Sequence, residues 1–253
     1  MFRKTFLSLF FACLLLSGTA FSQSGIKDST IGFTFIGMNF GIYAPGGDLA
    51  DRFGNCSMAG FDVIRKTSKN FLFGGSAGFI FGNDVKEPGL LSNITTEDGY
   101  VIGADGLVAD VRVYERGYQF SAAFGKIFPV SKLNPNSGIM LMAGPGFMQH
   151  KIRIESIGNT APQINEDYRK GYDRLSNGFE LREFIGFVSF GNRQLVNFYA
   201  GIELIQAFTE NRRDHTFDNP SLTGQKRTDL MYGFKVGWII PFYKKKPKEF
   251  YMY

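Results

Sequence analysis

Residues 229–246, DLMYGFKVGWIIPFYKKK, alternate between two kinds of side chain. The even positions are large and apolar: Leu230, Tyr232, Phe234, Val236, Trp238, Ile240 and Phe242. The odd positions between them are smaller and partly polar: Met231, Gly233, Lys235, Gly237 and Ile239. A repeat of two residues is that of a β-strand, whose successive side chains point to opposite faces. The pattern predicts a strand with its aromatic face in lipid and its glycine and lysine face inside a narrow barrel.

The same alternation recurs along the chain and predicts eight strands. They span residues 32–44, 55–66, 71–82, 117–129, 138–155, 178–190, 194–208 and 229–246. Most have roughly 10–15 residues, the length that a tilted membrane-spanning strand needs. Six of them have a clear apolar face. Pro145 interrupts the fifth strand, and the adjacent charges Arg182 and Glu183 leave the facing of the sixth open.

The connections between the strands alternate in length. Strands two and three, four and five, and six and seven are joined by KTSKN, PVSKLNPNS and GNR, and the other connections are on the whole longer. An even number of strands with alternating connections is the plan of a bacterial outer-membrane barrel. The sequence therefore predicts an all-β fold: an eight-stranded antiparallel transmembrane β-barrel with short periplasmic turns and long extracellular loops.

A soluble lipocalin-like barrel is the alternative architecture. Its apolar face would point inward, and its outer face would carry many charges. In this chain the face opposite the aromatic one is mostly Gly, Ser and Asn with few charges. That composition favours the membrane barrel, located in the cell outer membrane and surrounded by its lipid.

The first 22 residues have the anatomy of a cleaved secretory signal. Arg3 and Lys4 precede an apolar run, and Ala20-Phe21-Ser22 forms a small-x-small cleavage site before Gln23. The alternatives are a retained membrane anchor, for which the apolar run is short, and a lipoprotein cysteine at Cys13. The predicted organisation is a signal peptide over residues 1–22, a short periplasmic segment over 23–31, the barrel over 32–243 and a basic, aromatic periplasmic tail over 244–253.

The mature chain gives little reason to expect nucleic acid or a disulfide. Without Arg3 and Lys4 the net charge of +5 falls to +3, too mild to indicate a nucleic-acid partner. Cys56 is then the one cysteine left, so no internal disulfide can form.

Several charged residues are predicted to face the barrel interior. Alternation places Asp62, Glu203 and Lys235 there, and Arg182 is a further candidate. An eight-stranded barrel is just wide enough for its interior side chains to fill it. Because buried charges are normally paired, we expect these residues to form a structural charge network that plugs the lumen. A narrow ion path is the functional alternative.

No residue is assigned a catalytic, cofactor-binding or metal-binding role. His150 ends the fifth strand near the outer rim, with Glu155 and Ser156 close in sequence, so the alternative function, a lipid-modifying hydrolase at the barrel rim, would be sought there. No nucleophile motif such as G-x-S-x-G supports that alternative. His215 lies in a polar loop and is expected to be solvated, and without a His or Cys cluster we expect no transition-metal site.

The basic and aromatic tail is a candidate contact for a protein partner. The residues concerned are Lys244, Lys245, Lys246, Phe250, Tyr251 and Tyr253. Lysines beside a membrane strand also serve simply as a flank that reaches the lipid headgroups. The sequence leaves these two interpretations balanced.

The whole mature chain resembles a family of small outer-membrane β-barrel proteins of the Bacteroidota. The stretches that carry the resemblance are GIYAPGGDLADRFG, QHKIRIESIGNTAPQ, YRKGYDRLSNG and KVGWIIPFYKK. Related barrels include components of the type IX secretion machinery. The resemblance therefore implies a non-enzymatic structural or accessory subunit of an envelope assembly, with a secretion-related pathway as one option, and it carries over no catalytic residue. Asp28-Ser29-Thr30 also fits the short O-glycosylation pattern of that group.

Overall fold

The chain forms a closed barrel of eight antiparallel strands, each hydrogen-bonded to its neighbours in sequence. The structure is a computed structural model that describes residues 29–191 and 196–243, without the side chains of Asn159 and Glu166. The strands are β1 Phe33–Gly47, β2 Cys56–Lys66, β3 Phe71–Gly82, β4 Val111–Pro129, β5 Gly138–Ser156, β6 Ser176–Phe190, β7 Asn197–Asn211 and β8 Lys226–Phe242. The predicted fold class is confirmed.

Short helices occur in the longer connections. Helix α1 is Asp48–Arg52, helix α2 is Glu166–Arg169, and 3-10 turns span Ile157–Asn159, Pro162–Ile164 and Pro220–Leu222. None of the helices in the described part of the chain has the length and hydropathy needed to cross a membrane.

The barrel has a turn end and a loop end. The turn end holds the short connections and both ends of the described chain. The loop end holds loop 1 (residues 48–55), loop 2 (83–110), loop 3 (157–175) and loop 4 (212–225). The predicted signal over residues 1–22 and the predicted tail over 244–253 lie outside the described residues.

The strand register fixes the tilt of the barrel. A path of paired residues from Thr34 of β1, followed once through all eight strands, returns to β1 at Ala44. It has shifted by ten residues toward the loop end, which is the shear of the barrel. Eight strands about 4.8 Å apart, with that shear and a rise of about 3.3 Å per residue, must tilt about 40° from the axis.

The outer face of the barrel is an apolar belt. Exposed side chains on it include Met38, Phe40, Phe61, Phe124, Ile202, Phe234 and Val236, all on the predicted apolar faces. Aromatic residues border the belt on both sides. The girdle at the turn end is Phe71, Phe128, Phe187, Phe198, Trp238 and Phe242, and the girdle at the loop end is Phe79, Tyr118, Phe147, Phe179, Phe208 and Tyr232. This is the surface of a barrel embedded in a lipid bilayer.

The closed register also resolves the two strands whose facing the sequence left open. On β5, Met140, Met148 and His150 are buried in the lumen, and Pro145 faces outward. On β6, Arg182 faces inward and Glu183 outward. The register of β4 with β5 is the same on both sides of Pro145, so the proline, which lacks an N–H, interrupts the ladder without shifting it.

The lumen is filled by three layers. A loop-end apolar cluster includes Met58, Ile80, Met148 and Met231, and a turn-end cluster includes Phe33, Phe35, Phe190 and Ile239. Lys235 lies between Met231 and Ile239 on the inner face of β8. Apolar side chains thus lie above and below the charged layer, and further buried polar side chains, Glu180 and His150 among them, lie on its loop-end side.

Candidate functional site

The structure brings all four sequence-predicted lumen charges together in the central layer. Arg182 donates from Nε to Glu203 at 2.6 Å, and its Nη2 lies 3.8 Å from Asp62. The Lys235 ammonium lies 3.3 Å from Glu203 and 3.5 Å from Asp62. The four side chains are at most 7% exposed, so two cations and two carboxylates neutralise each other away from water.

Two tyrosines complete this network. Tyr43 of β1 donates its hydroxyl to Glu203, and Tyr199 of β7 donates to Asp62. Asp62 also accepts from Asn39 at 2.9 Å and from Ser76. Buried charges are tolerated when their remaining lone pairs are hydrogen-bonded, and these donors provide those bonds.

The glycines of β8 make room for the tyrosines. Gly233 is paired with Tyr43, and Gly237 is paired with Tyr199. A Cβ added at either glycine would lie 2.2 Å from the neighbouring ring. The Gly-x-Lys-x-Gly spacing of β8 therefore places the Lys235 ammonium between the rings of Tyr43 and Tyr199, each of which packs over the backbone of a glycine.

We expect Gly237→Ala to lower the free energy of unfolding by about 1–3 kcal/mol, because the added methyl displaces Tyr199 from Asp62. Urea unfolding in detergent micelles would measure the change. Gly75→Ala is the matched control, since its Cβ would meet only the Ser121 carbonyl oxygen at 3.4 Å. Equal stability of the two variants would mean that the Tyr199 ring is not confined as described.

His150 does not assemble with Ser156 and Glu155. Its side chain is fully buried in the lumen, and Nε2 is 2.9 Å from an Asp229 oxygen that also accepts from Thr209. Glu155 pairs instead with Arg153, and Ser156 lies six residues further along β5, about 20 Å away. The histidine belongs to a second buried polar group, which the sequence did not indicate.

Cys56 is a buried free thiol at the start of β2. The side chain of Glu115 is also buried. His215 is exposed in loop 4, as its polar surroundings predicted.

Buried ion pairs tie the four loops to one another. Arg52 of loop 1 donates to Glu87 of loop 2 at 2.6 Å and to the Arg174 carbonyl of loop 3 at 3.3 Å. Arg174 forms a two-pronged pair with Asp218 of loop 4. Burial lowers the pKa of the Arg52 guanidinium, which the Glu87 carboxylate partly offsets.

A second pair joins loops 3 and 4. Arg213 donates to both Asp173 oxygens, at 2.7 and 2.5 Å, and these hydrogen bonds raise the pKa of Arg213. Tyr172 of loop 3 donates to Asn93 of loop 2 at 2.8 Å. The loops thus form one cross-linked cap over the barrel mouth.

The cap carries an exposed apolar surface, which we call the loop patch. Its members are Tyr100, Ile102, Leu107, Val108 and Ile157. Ile102 bridges Val108 within loop 2, and Ile157 donates its N–H to the Asp110 carbonyl at 2.9 Å. Because β4 continues seven residues beyond Tyr118, the patch stands roughly 18 Å beyond the aromatic girdle at the loop end.

The turn end is closed by the segment that precedes β1. Lys66 donates to the Ile31 carbonyl at 2.9 Å and to Asn136 at 2.8 Å, and Asn136 donates to the Ser29 carbonyl at 2.9 Å. Phe33 packs edge-on against Phe190. The predicted partner contacts Lys244, Lys245, Lys246, Phe250, Tyr251 and Tyr253 lie outside the described residues.

No protein-family model and no curated protein matches the sequence. Three solved structures share 10% identity with the chain. They are Ail, the attachment invasion locus protein of Yersinia pestis (TM-score 0.40, covering 83% of this chain and 99% of that one), Neisserial surface protein A (0.42, 83% and 97%) and the outer membrane protein OprG from Pseudomonas aeruginosa (0.39, 86% and 99%). At this identity the likeness concerns the fold alone.

The barrel's own construction indicates where it resides. A closed ring of eight antiparallel strands leaves no unpaired sheet edge, which is what a strand-built membrane span requires. The apolar belt and its two aromatic girdles complete the features of outer-membrane proteins. The chain is an outer-membrane β-barrel.

Proposed function

We propose that the chain is a non-enzymatic structural or accessory subunit of an envelope assembly, which docks a partner through its rigid extracellular cap. The observation that carries the proposal is the set of buried ion pairs that ties all four loops together. Loops fixed in advance lose little conformational entropy on binding, so a pre-ordered cap favours a docking role. The loop patch supplies the contact surface, because exposed apolar patches outside the membrane mark interaction sites.

The filled lumen supports a structural role over a narrow solute channel. Asp62, Glu203, Arg182 and Lys235 are paired with one another and lie between the two apolar clusters. An ion crossing the barrel would have to break these pairs, each buried in surroundings of low dielectric. A rim hydrolase has no comparable support. His150 is buried, and its described contacts are Asp229 and Phe53, neither of which is a serine or cysteine nucleophile.

The tail over residues 244–253 is a second proposed contact, on the periplasmic side. Its lysines and aromatic residues would meet a protein partner there, and a secretion-related pathway is the one that the family resemblance implies. The loop patch lies at the loop end, and β8, which precedes the tail in sequence, ends at the turn end, so one subunit would serve partners on both sides of the membrane.

A pull-down of the native protein, extracted gently from outer membranes, tests this proposal. We expect a stoichiometric partner that is reduced at least tenfold by Leu107→Asp with Val108→Asp, because two charges would be buried in the contact. Glu97→Ala with Asp98→Ala, exposed in loop 2 outside the patch, is the matched control and should change nothing. A truncated chain that ends at residue 243 identifies the periplasmic partners, because a partner that binds the tail would be lost from its pull-down. A barrel recovered alone at its native level would contradict the proposal.

A further inference from the structure

Glu183 is a charged side chain in the middle of the lipid-facing belt. It points outward from β6, four residues from Phe179 in the loop-end girdle and four from Phe187 in the turn-end girdle. No hydrogen bond or ion pair reaches it from the residues that the structure describes. A carboxylate at this depth is costly and marks a functional site by default.

Lys126 of β4 lies almost directly below Glu183. In the strand register, Phe124 of β4 pairs with Ala143 of β5, which pairs with Glu183 of β6, so these residues form one row across the strands. Phe124 lies two residues above Lys126 on β4. With a tilt of about 40°, two residues along a strand gain about 5 Å of height, and two strands along a row gain about 6 Å. The two Cα atoms therefore differ by about 11 Å in height and only about 3 Å sideways.

An outer groove of about 640 Å³ connects the two charges. Its floor is Leu141 and the small Ala143, and its walls are Phe73 and Phe124 on one side and Ile185 and Ile202 on the other. The volume falls within the range of small-molecule sites, which are mostly apolar with a few placed polar groups. Because its charged ends lie one above the other, the groove runs along the membrane normal, as an acyl chain does.

The lysine is turned away from the carboxylate. Its ammonium lies 4.9 Å from the centre of the Phe71 ring and 5.5 Å from that of Phe128, both in the girdle at the turn end. Lysine side chains near a membrane surface extend toward the headgroups in this way. The groove thus offers a cation at headgroup level and a hydrogen-bond acceptor on a residue whose Cα lies about 11 Å deeper than that of Lys126.

We propose that this groove binds a lipid of the periplasmic leaflet whose anionic headgroup pairs with Lys126 and whose acyl chain carries a hydroxyl that donates to Glu183. The proposal goes beyond the accessory role but rests on the same placement in the membrane, with the turn end facing the periplasm. A symmetric dimer fits less well. Its two-fold axis would run along the membrane normal and preserve height, so it would set Glu183 against the partner's Glu183.

The site is tested with fatty-acid probes added to the purified barrel in non-ionic detergent micelles. Native mass spectrometry would measure the affinity of each probe. In 10-hydroxyoctadecanoate the hydroxyl carbon is nine bonds from the carboxylate carbon, about 11 Å in an extended chain of roughly 1.5 Å bonds. We expect it to bind about 5- to 10-fold more tightly than octadecanoate or 2-hydroxyoctadecanoate, the effect of one added hydrogen bond.

Three variants and one control variant separate the contributions. Glu183→Leu should abolish the preference for the 10-hydroxyl while leaving octadecanoate binding unchanged, and Glu183→Gln should keep it, since the amide oxygen accepts. Lys126→Met should weaken all three probes. Arg65→Met, which removes an exposed cation of β2 outside the groove, should weaken none.

Equal binding of octadecanoate and 10-hydroxyoctadecanoate to the unaltered barrel would overturn the lipid site, as would a preference that survives Glu183→Leu. Either result leaves the accessory role untouched. Recovery of the native chain in the soluble fraction would instead overturn the membrane placement on which both proposals depend.

Discussion

Arg182→Met is expected to lower the free energy of unfolding of the barrel by about 3–5 kcal/mol, because it leaves buried charge uncompensated. Arg182 is 6% exposed and contacts both carboxylates of the central layer. Without it, Asp62 and Glu203 would share Lys235 alone. The flat guanidinium also donates to Ser121 at 3.1 Å, and methionine cannot replace that bond.

Urea unfolding in micelles, followed by the gel shift between folded and heat-denatured barrel, would measure this loss. Arg65→Met is the matched control, because that arginine is exposed and, within the described part of the chain, makes one hydrogen bond, to Thr34 at 3.3 Å. We expect the control to change stability by less than about 0.5 kcal/mol. If both arginine variants unfolded alike, the central network would not be a source of stability.

A compensating change distinguishes charge imbalance from lost packing. Arg182→Met with Glu203→Gln leaves one carboxylate and one ammonium, and the glutamine can still accept from Tyr43. We expect this double variant to regain at least half of the stability that Arg182→Met loses. A double variant as unstable as the single one would assign the loss to packing around the methionine.

The charged layer illustrates how far the sequence reaches. A period of two was enough to place Asp62, Glu203 and Lys235 on inner faces, because a closed barrel forces every strand to keep one face inward. The sequence could not show that Tyr199 reaches Asp62, since that contact joins residues 137 apart and depends on the shear of the barrel.

The loop end was less predictable for the same reason. The prediction began the fourth strand at residue 117, whereas β4 begins at Val111, because Val111 and Val113 pack against the cluster that the loops cover. The pairing of His150 with Asp229 links strands five and eight across the lumen. The sequence around each partner gives no sign of such a pair, because the flanking residues are those of an ordinary strand.

Glu183 shows a different limit. The adjacent charges Arg182 and Glu183 had to face opposite ways, but alternation alone could not decide which one entered the lumen. The register with β5 and β7 decides it, and the outcome places a carboxylate in lipid. The charged residue interrupts the apolar pattern in the sequence, and in the folded barrel it lies at the upper end of the groove.

Arg52→Met is expected to open the extracellular cap while leaving the barrel folded. The side chain is 1% exposed and joins three loops, through Glu87, the Arg174 carbonyl and the Ser176 hydroxyl at 3.2 Å. Methionine would fill much of the volume but leave these acceptors without their donor. We expect the closed cap to lose about 2–3 kcal/mol relative to its open forms.

A non-specific protease added to proteoliposomes would report this opening. Cleavage of an ordered loop follows the population of its open form, so a loss of 2–3 kcal/mol predicts cleavage within residues 83–110 about 30- to 150-fold faster. Unfolding of the barrel in urea should be nearly unchanged, because Arg52 lies beyond the strands. Arg112→Met is the control: its pair with Asp110 is exposed on both sides, and such pairs contribute little.

The result bears directly on the docking role. If Arg52→Met accelerates cleavage and also weakens capture of the partner, with the loop patch itself unaltered, then the partner recognises the fixed arrangement of the loops. If cleavage accelerates and capture is unchanged, the contact needs only the local surface around Leu107 and Val108. A cap that resists protease as well without Arg52 as with it would mean that the remaining pairs, Arg174 with Asp218 and Arg213 with Asp173, hold the loops by themselves.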